Sequence, residues 1–267
     1  MWEEPCISGE NGSGTVFFTG CNLGCVYCQN RRISREGDAG ISISVKRLAE
    51  IFLELQQKKA NNINLVTPTH YAVQIKEAVH TARDNGLTIP IVYNCSGYEL
   101  AETIEYLGDD IQIYLTDFKY WDRQKAKEYS FAENYREEAI KALDAMVENV
   151  GEPEFDENGI MQRGVIVRHL VLPGNAADSM KIIGFLHRRY CDGIYLSIMN
   201  QYTPPIDAKL PEILRKSTEK DEYDSVLEYA DEIGINNLFY QEGGTVSESF
   251  IPDFDGFGVL KTNDTVI

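Results

Sequence analysis

The chain has 267 residues, 43% of them hydrophobic, with 25 Lys and Arg against 42 Asp and Glu and a formal net charge of −17. That apolar share excludes intrinsic disorder for most of the chain, and the acidic balance argues against sequence-independent binding to nucleic acid or an anionic membrane. No apolar run reaches the roughly 20 residues of a spanning helix, and the start Met-Trp-Glu-Glu-Pro-Cys lacks the basic and apolar stretches of a signal peptide.

Taken in chain order, residues 14–20 (GTVFFTG) read as a β-branched and aromatic strand between glycines. Residues 45–60 carry Leu48, Ile51, Phe52 and Leu55 at helical spacing. A strand at 63–67, a helix at 71–85 and a strand at 89–94 follow, then a helix at 98–107 and a strand at 111–116. One long helical stretch is expected over 123–150, and an acidic, turn-rich loop at 151–159 (GEPEFDENG). Residues 165–172 (VIVRHLVL) read as a strand ended by Pro173-Gly174. A helix at 179–190, a strand at 194–199, a helix at 223–233 and a short strand at 238–241 complete the pattern.

Six or more β-then-α units with strands apolar on both faces imply a parallel sheet covered by helices. Right-handed crossovers curl such a sheet into a full or partial barrel. The alternative is an open doubly wound sheet, but its glycine fingerprint should follow the first strand, and Gly12-Ser13-Gly14 precedes it. With no repeat beyond the βα unit and no low-complexity tract, one domain is expected over residues 1–267, with its core at about 14–241.

Six cysteines, Cys6, Cys21, Cys25, Cys28, Cys95 and Cys191, are too sparse for a disulfide scaffold and point to a reducing, cytoplasmic setting. Three of them form Cys21-Asn-Leu-Gly-Cys25-Val-Tyr-Cys28, a C-x3-C-x2-C loop after the first strand. Thiolates so close converge on one soft metal centre. Structural zinc wants four ligands, which here would require Cys6 or His70 as the fourth. Three thiols that merely pack together are the remaining alternative. An iron–sulfur cluster held by three cysteines instead leaves one iron open to a cofactor or substrate, at the strand ends where barrel enzymes place their chemistry.

The C-x3-C-x-aromatic-C pattern, with Tyr27 as the aromatic, resembles the signature of the radical S-adenosylmethionine superfamily. The wider block 12–30, Asp117-Phe-Lys119, and Arg168-His-Leu-Val-Leu-Pro-Gly174 resemble its pyruvate formate-lyase activating enzyme branch. They are most similar to an uncharacterised subgroup with a block like Trp2-Glu-Glu-Pro-Cys-Ile-Ser-Gly9. The resemblance implies a partial (β/α)6 TIM-like barrel and an oxidoreductase that cleaves S-adenosylmethionine reductively at a [4Fe–4S] cluster.

By that resemblance, Cys21, Cys25 and Cys28 are the cluster ligands and Tyr27 packs beside the adenine. The family's Gly-Gly-Glu motif is replaced by Val66-Thr67-Pro68-Thr69-His70, whose Thr67 and Thr69 either supply the missing cofactor contacts or serve the turn around Pro68. Asn94, Ser96 and Gly97 fall where relatives contact the ribose, with helix capping the other reading of Ser96. Asp117 and Lys119 match the family's Asp-x-Lys, Lys119 neutralising the cofactor carboxylate, with a surface ion pair as the alternative. Arg168, a charge in mid-strand, is expected to face the cofactor and to share the catalytic role with Lys119. His169 points to the opposite face and reads as structural. Cys95 lies at a strand end facing the presumed site, while the His that relatives carry near 200–202 is missing.

The implied partners are a glycyl radical enzyme or other protein substrate, and flavodoxin or ferredoxin as electron donor. Neither nucleic acid nor membrane is expected. Two alternatives stand beside this reading: an iron–sulfur electron carrier or sensor without cofactor cleavage, and a zinc-stabilised binding module.

Overall fold

The computed structural model describes residues 4–36, 40–205, 209–241, 254–256 and 258–260. Trp2 and Glu3 of the N-terminal block lie outside them. The elements are α1 (Pro5–Ser8), β1 (Gly14–Phe17), α2 (Val45–Gln57), β2 (Ile63–Val66), α3 (Ala72–Asp84), β3 (Ile91–Cys95), α4 (Ala101–Leu107) and β4 (Ile113–Asp117). Then come α5 (Arg123–Ser130), α6 (Tyr135–Val150), β5 (Glu154–Phe155), β6 (Met161–Leu170), α7 (Ala176–Tyr190), β7 (Tyr195–Met199), α8 (Lys220–Glu232) and β8 (Leu238–Tyr240).

Strand order is β1-β2-β3-β4-β6-β7-β8, every neighbour parallel, with β5 pairing antiparallel to the start of β6. A sequential order without reversal excludes the doubly wound alternative. Among the described residues β1 and β8 remain unpaired edges, so the sheet is a partial barrel of six β/α units and a final strand.

Two expectations are corrected. The helical stretch over 123–150 is two helices, broken where Phe131 takes a left-handed conformation (φ +58) and closes α5 through its N–H to Lys127. The loop at 151–159 is partly strand, because Glu154 and Phe155 pair with Arg163 and Met161 and so start β6 earlier than expected.

Strand alternation separates two cores. Ile63, Leu65, Ile91, Tyr93, Tyr114, Val165, Val167, Leu196 and Ile198 point outward under the helices. Val92, Ile113, Leu115 and Ile166 point inward and pack with Cys6 and Ile7 of α1. Helix α1 is thus a plug in the barrel interior. Asn62 Nδ2 donates to Ile7 O at 2.8 Å and Asn61 Nδ2 to Ser8 O at 2.6 Å, while Ile7 is fully buried. Further along the same inward-facing rows, toward the carboxyl ends of the strands, stand Asn94, Asp117, Arg168 and Ser197.

Candidate active site

After the last ladder bond of β1, from Phe18 N–H to Val66 O, the chain turns at Gly20 (φ +82) into the cysteine loop. The loop is pinned from α5: Gly24 N–H donates to Ser130 O at 3.2 Å and Val26 N–H to Tyr129 O at 2.8 Å. Leu23 and Tyr27 anchor it in the core. So held, Cys21, Cys25 and Cys28 all line one cavity of about 490 Å³ at the carboxyl ends of the strands.

Each sulfur has a donor or hydroxyl at hand. Leu23 N–H reaches Cys21 Sγ at 3.4 Å, Ser130 Oγ donates to Cys25 Sγ at 2.9 Å, and the Ser34 hydroxyl lies 3.4 Å from Cys28 Sγ. Burial pushes the Cys21 thiol up to about 11 and raises that of Cys25 as well, while the Lys119 ammonium pulls both back in part. A bound metal is what takes the proton from a thiol held this way. Among the described residues no three His, Cys, Asp or Glu side chains are arranged to hold a single metal ion. Three soft thiolates sharing a roomy cavity and supplied with hydrogen-bond donors fit a larger iron–sulfur centre.

Beyond the cysteines, Asp117, Arg168, Ser197 and Phe239 form one register row across β4, β6, β7 and β8. All four line the cavity, as do Tyr27, Thr67, Asn94, Cys95, Ser96 and Lys119. Lys119 Nζ pairs with Asp117 Oδ2. Burial works against the ammonium, but Asp117 and the nearby Cys25 outweigh it and hold its pKa well above the ordinary value. Gly97 (φ +78) permits the tight approach behind this pair, since a Cβ there would lie 2.0 Å from Asp117 O.

Arg168 is placed differently from expectation. Its Nε and Nη2 donate to the two carboxylate oxygens of Glu4 at 2.8 and 2.7 Å, so a residue of the α1 plug takes the fork that a cofactor carboxylate was expected to take. Burial pushes the Glu4 carboxyl up to about 7, with the Asp117 charge adding to it and Ser197 hydrogen-bonding against it, and lowers Arg168 to about 9. Each charge is kept in the interior by the other.

Thr69 is also corrected: it is not among the cavity-lining residues, because its hydroxyl donates to Glu99 Oε1 at 2.7 Å behind the sheet. Thr67 stays in the wall in a left-handed conformation (φ +57), rare for a β-branched residue and a mark of local strain. Ser96 lines the cavity and accepts the Tyr98 N–H at 3.4 Å in a local turn. Its helix-capping reading is corrected, because α4 starts only at Ala101 with Leu100 as its N-cap and no side-chain cap. His169 is buried on the outer side between Phe118 O (2.7 Å) and Ser179 Oγ (2.8 Å), a structural histidine. Tyr27 packs edge-on to Tyr202 with its hydroxyl 2.6 Å from Tyr120.

Sequence reasoning missed Glu4, Ser197, Tyr120 and Ser130. Only Glu4 had a local signal: Pro5 after it is a helix-start residue.

An open parallel barrel with thiols gathered at the carboxyl ends of its strands defines a cofactor-dependent α/β-barrel enzyme. The model of the Radical SAM superfamily matches residues 15–186, and the chain belongs to that superfamily. Membership implies a [4Fe–4S] cluster and S-adenosylmethionine. The chain is 30% identical over 237 residues to the uncharacterized protein MJ0674 of Methanocaldococcus jannaschii, covering 85% of this chain and 64% of that one. Streptococcus suis SuiB bound to S-adenosylmethionine has the same fold, with a TM-score of 0.57 and 14% identity over 86% of this chain and 50% of that one. A radical SAM methyltransferase from Sphaerobacter thermophilus follows at 0.54 and 15%, covering 86% and 67%. The chain thus spans half of SuiB and less than two thirds of MJ0674. No helix among the described residues is long and apolar enough to cross a membrane.

Proposed function

We propose that this protein holds a [4Fe–4S] cluster on Cys21, Cys25 and Cys28 and binds S-adenosylmethionine in the cavity beside it. When bound, the two supply reductive cleavage of the sulfonium to methionine and a 5′-deoxyadenosyl radical that abstracts a substrate hydrogen. The observation that carries the reading is the opening of all three cysteines onto the cavity that Asn94, Asp117, Lys119 and Arg168 also line. Lys119, charged and braced by Asp117, offers a point charge to the cofactor carboxylate. Asn94 and Ser96 offer hydrogen bonds to its ribose, and Tyr27 an apolar ring wall to its adenine. Arg168, fixed by Glu4, sets the polar floor.

The substrate follows from the activating-enzyme resemblance: a backbone glycine of a partner enzyme, presented to the open side of the barrel. Flavodoxin or ferredoxin would supply the electron, in the cytoplasm. The competing carrier reading draws on Thr69, which is committed to Glu99 and leaves the methionine end of the cavity with one threonine fewer than expected. Anaerobically reconstituted protein with dithionite and S-adenosylmethionine separates the two. The proposed function gives 5′-deoxyadenosine from the wild type and none from Cys25→Ala. A loaded cluster that yields no product favours the carrier.

A further inference from the structure

Of the three cysteine sulfurs, that of Cys25 has the closest donor and, among the described residues, the one backed by a chain of hydroxyls. Ser130 Oγ lies 2.9 Å from Cys25 Sγ, Tyr120 OH 2.6 Å from Ser130 Oγ, and Tyr27 OH 2.6 Å from Tyr120 OH. Ser130 and Tyr120 are 1% exposed and Tyr27 is 7% exposed, so water does not compete for these bonds. The residues come from three places: Ser130 ends α5, Tyr120 follows β4, and Tyr27 sits within the cysteine loop.

We propose that the Tyr27–Tyr120–Ser130 relay sets the reduction potential of the iron–sulfur centre by hydrogen bonding to the Cys25 sulfur. The inference rests on the reading of Cys25 as a cluster ligand. A metal-bound thiolate only accepts, which fixes the direction of every link. Ser130 donates to sulfur, its oxygen accepts from Tyr120, and the Tyr120 oxygen accepts from Tyr27. Each donation polarises the next, strengthening it by roughly 10–30%. The sum draws negative charge off the thiolate, which favours the extra electron of the reduced centre and raises its potential. Tyr27 also lines the cavity, so the far end of the relay touches the space assigned to the cofactor. The three residues are positioning residues: none needs to touch a reacting atom.

The test is a redox titration, followed by electron paramagnetic resonance, of reconstituted wild type, Ser130→Ala, Tyr120→Phe and Tyr27→Phe. Iron and sulfide content and the visible absorbance are read first. The expected result is a full cluster in each variant and a midpoint shifted to more negative potential, most for Ser130→Ala, less for Tyr120→Phe and least for Tyr27→Phe. Should Ser130→Ala fail to hold the cluster, the two Phe variants, which keep their rings and packing, decide. Loaded variants with an unchanged midpoint overturn the proposal, as does a shift in Ser130→Ala with none in either Phe variant. A wild type that assembles no cluster overturns the ligand reading instead, and the iron and sulfide analysis shows that before any potential is measured.

Discussion

Replacing Arg168 by Met removes the guanidinium from the cavity floor while filling much of its volume, and leaves the Glu4 carboxyl buried beside Ser197 and Asp117. An unfolded carboxyl has the ordinary value of 4.5, whereas burial pushes the folded one up to about 7. That value of about 7 holds with Arg168 in place, so the wild type itself loses this carboxyl's contribution as pH rises from 4.5 through 7. Without the guanidinium the folded carboxyl moves higher still, because the opposite charge that favours its ionised form is gone. Below pH 7 the carboxyl is mostly protonated in both folded proteins and the deficit of the variant is smallest. Above pH 7 the wild type has finished losing stability and the variant goes on, so the deficit grows with pH toward the roughly 3–5 kcal/mol that breaking a buried ion pair costs. With an unfolding entropy of about 2.1 cal/mol/K per residue over 267 residues, a loss of about 3 kcal/mol lowers Tm by about 5 °C. Thermal unfolding by circular dichroism, wild type against Arg168→Met from pH 5 to 9, measures it. A deficit that is constant with pH, or largest in acid, refutes the argument that Arg168 is what keeps Glu4 ionised.

Glu99 gives the converse case, because its raised pKa of about 7 comes from burial and its hydrogen-bond partners Thr69 and Tyr93 are both neutral hydroxyls. Wild-type stability should fall between pH 4.5 and 7, and Glu99→Gln should remove this carboxyl's share of that slope, gaining up to about 3 kcal/mol on the wild type by pH 7 in the same unfolding assay. Ile7→Ala empties the plug of the inner core and should cost about 2–5 kcal/mol in denaturant unfolding, with an unchanged m-value. Gly97→Ala combines a left-handed conformation with a Cβ driven against Asp117 O. It should destabilise by more than about 1 kcal/mol and weaken S-adenosylmethionine binding to the reconstituted protein, measured by equilibrium dialysis.

The sheet was legible because each strand repeats two apolar faces between turn residues, and the cysteine loop because its chemistry is packed into eight residues. Arg168 was legible as an inward charge but not its partner: Glu4 lies 164 positions away and reaches it only because α1 folds into the barrel. The break at Phe131 hid inside an unbroken apolar pattern, since it depends on one backbone torsion rather than on a glycine or proline. Thr69 looked free for the cofactor, yet a buried carboxylate at Glu99, itself unremarkable in the helix register, claims it. The Tyr27–Tyr120–Ser130 hydroxyls carry no sequence spacing at all; three separate segments must fold before they meet.

The central claim is that three cysteines of one loop hold a cluster to which S-adenosylmethionine binds. Electron paramagnetic resonance of the anaerobically reconstituted and reduced protein, recorded before and after S-adenosylmethionine is added, tests it most directly. The account predicts a reduced [4Fe–4S] signal that changes shape on addition of S-adenosylmethionine and is absent from Cys21→Ala, Cys25→Ala and Cys28→Ala. A signal that ignores S-adenosylmethionine, or that survives loss of any one of these cysteines, contradicts it.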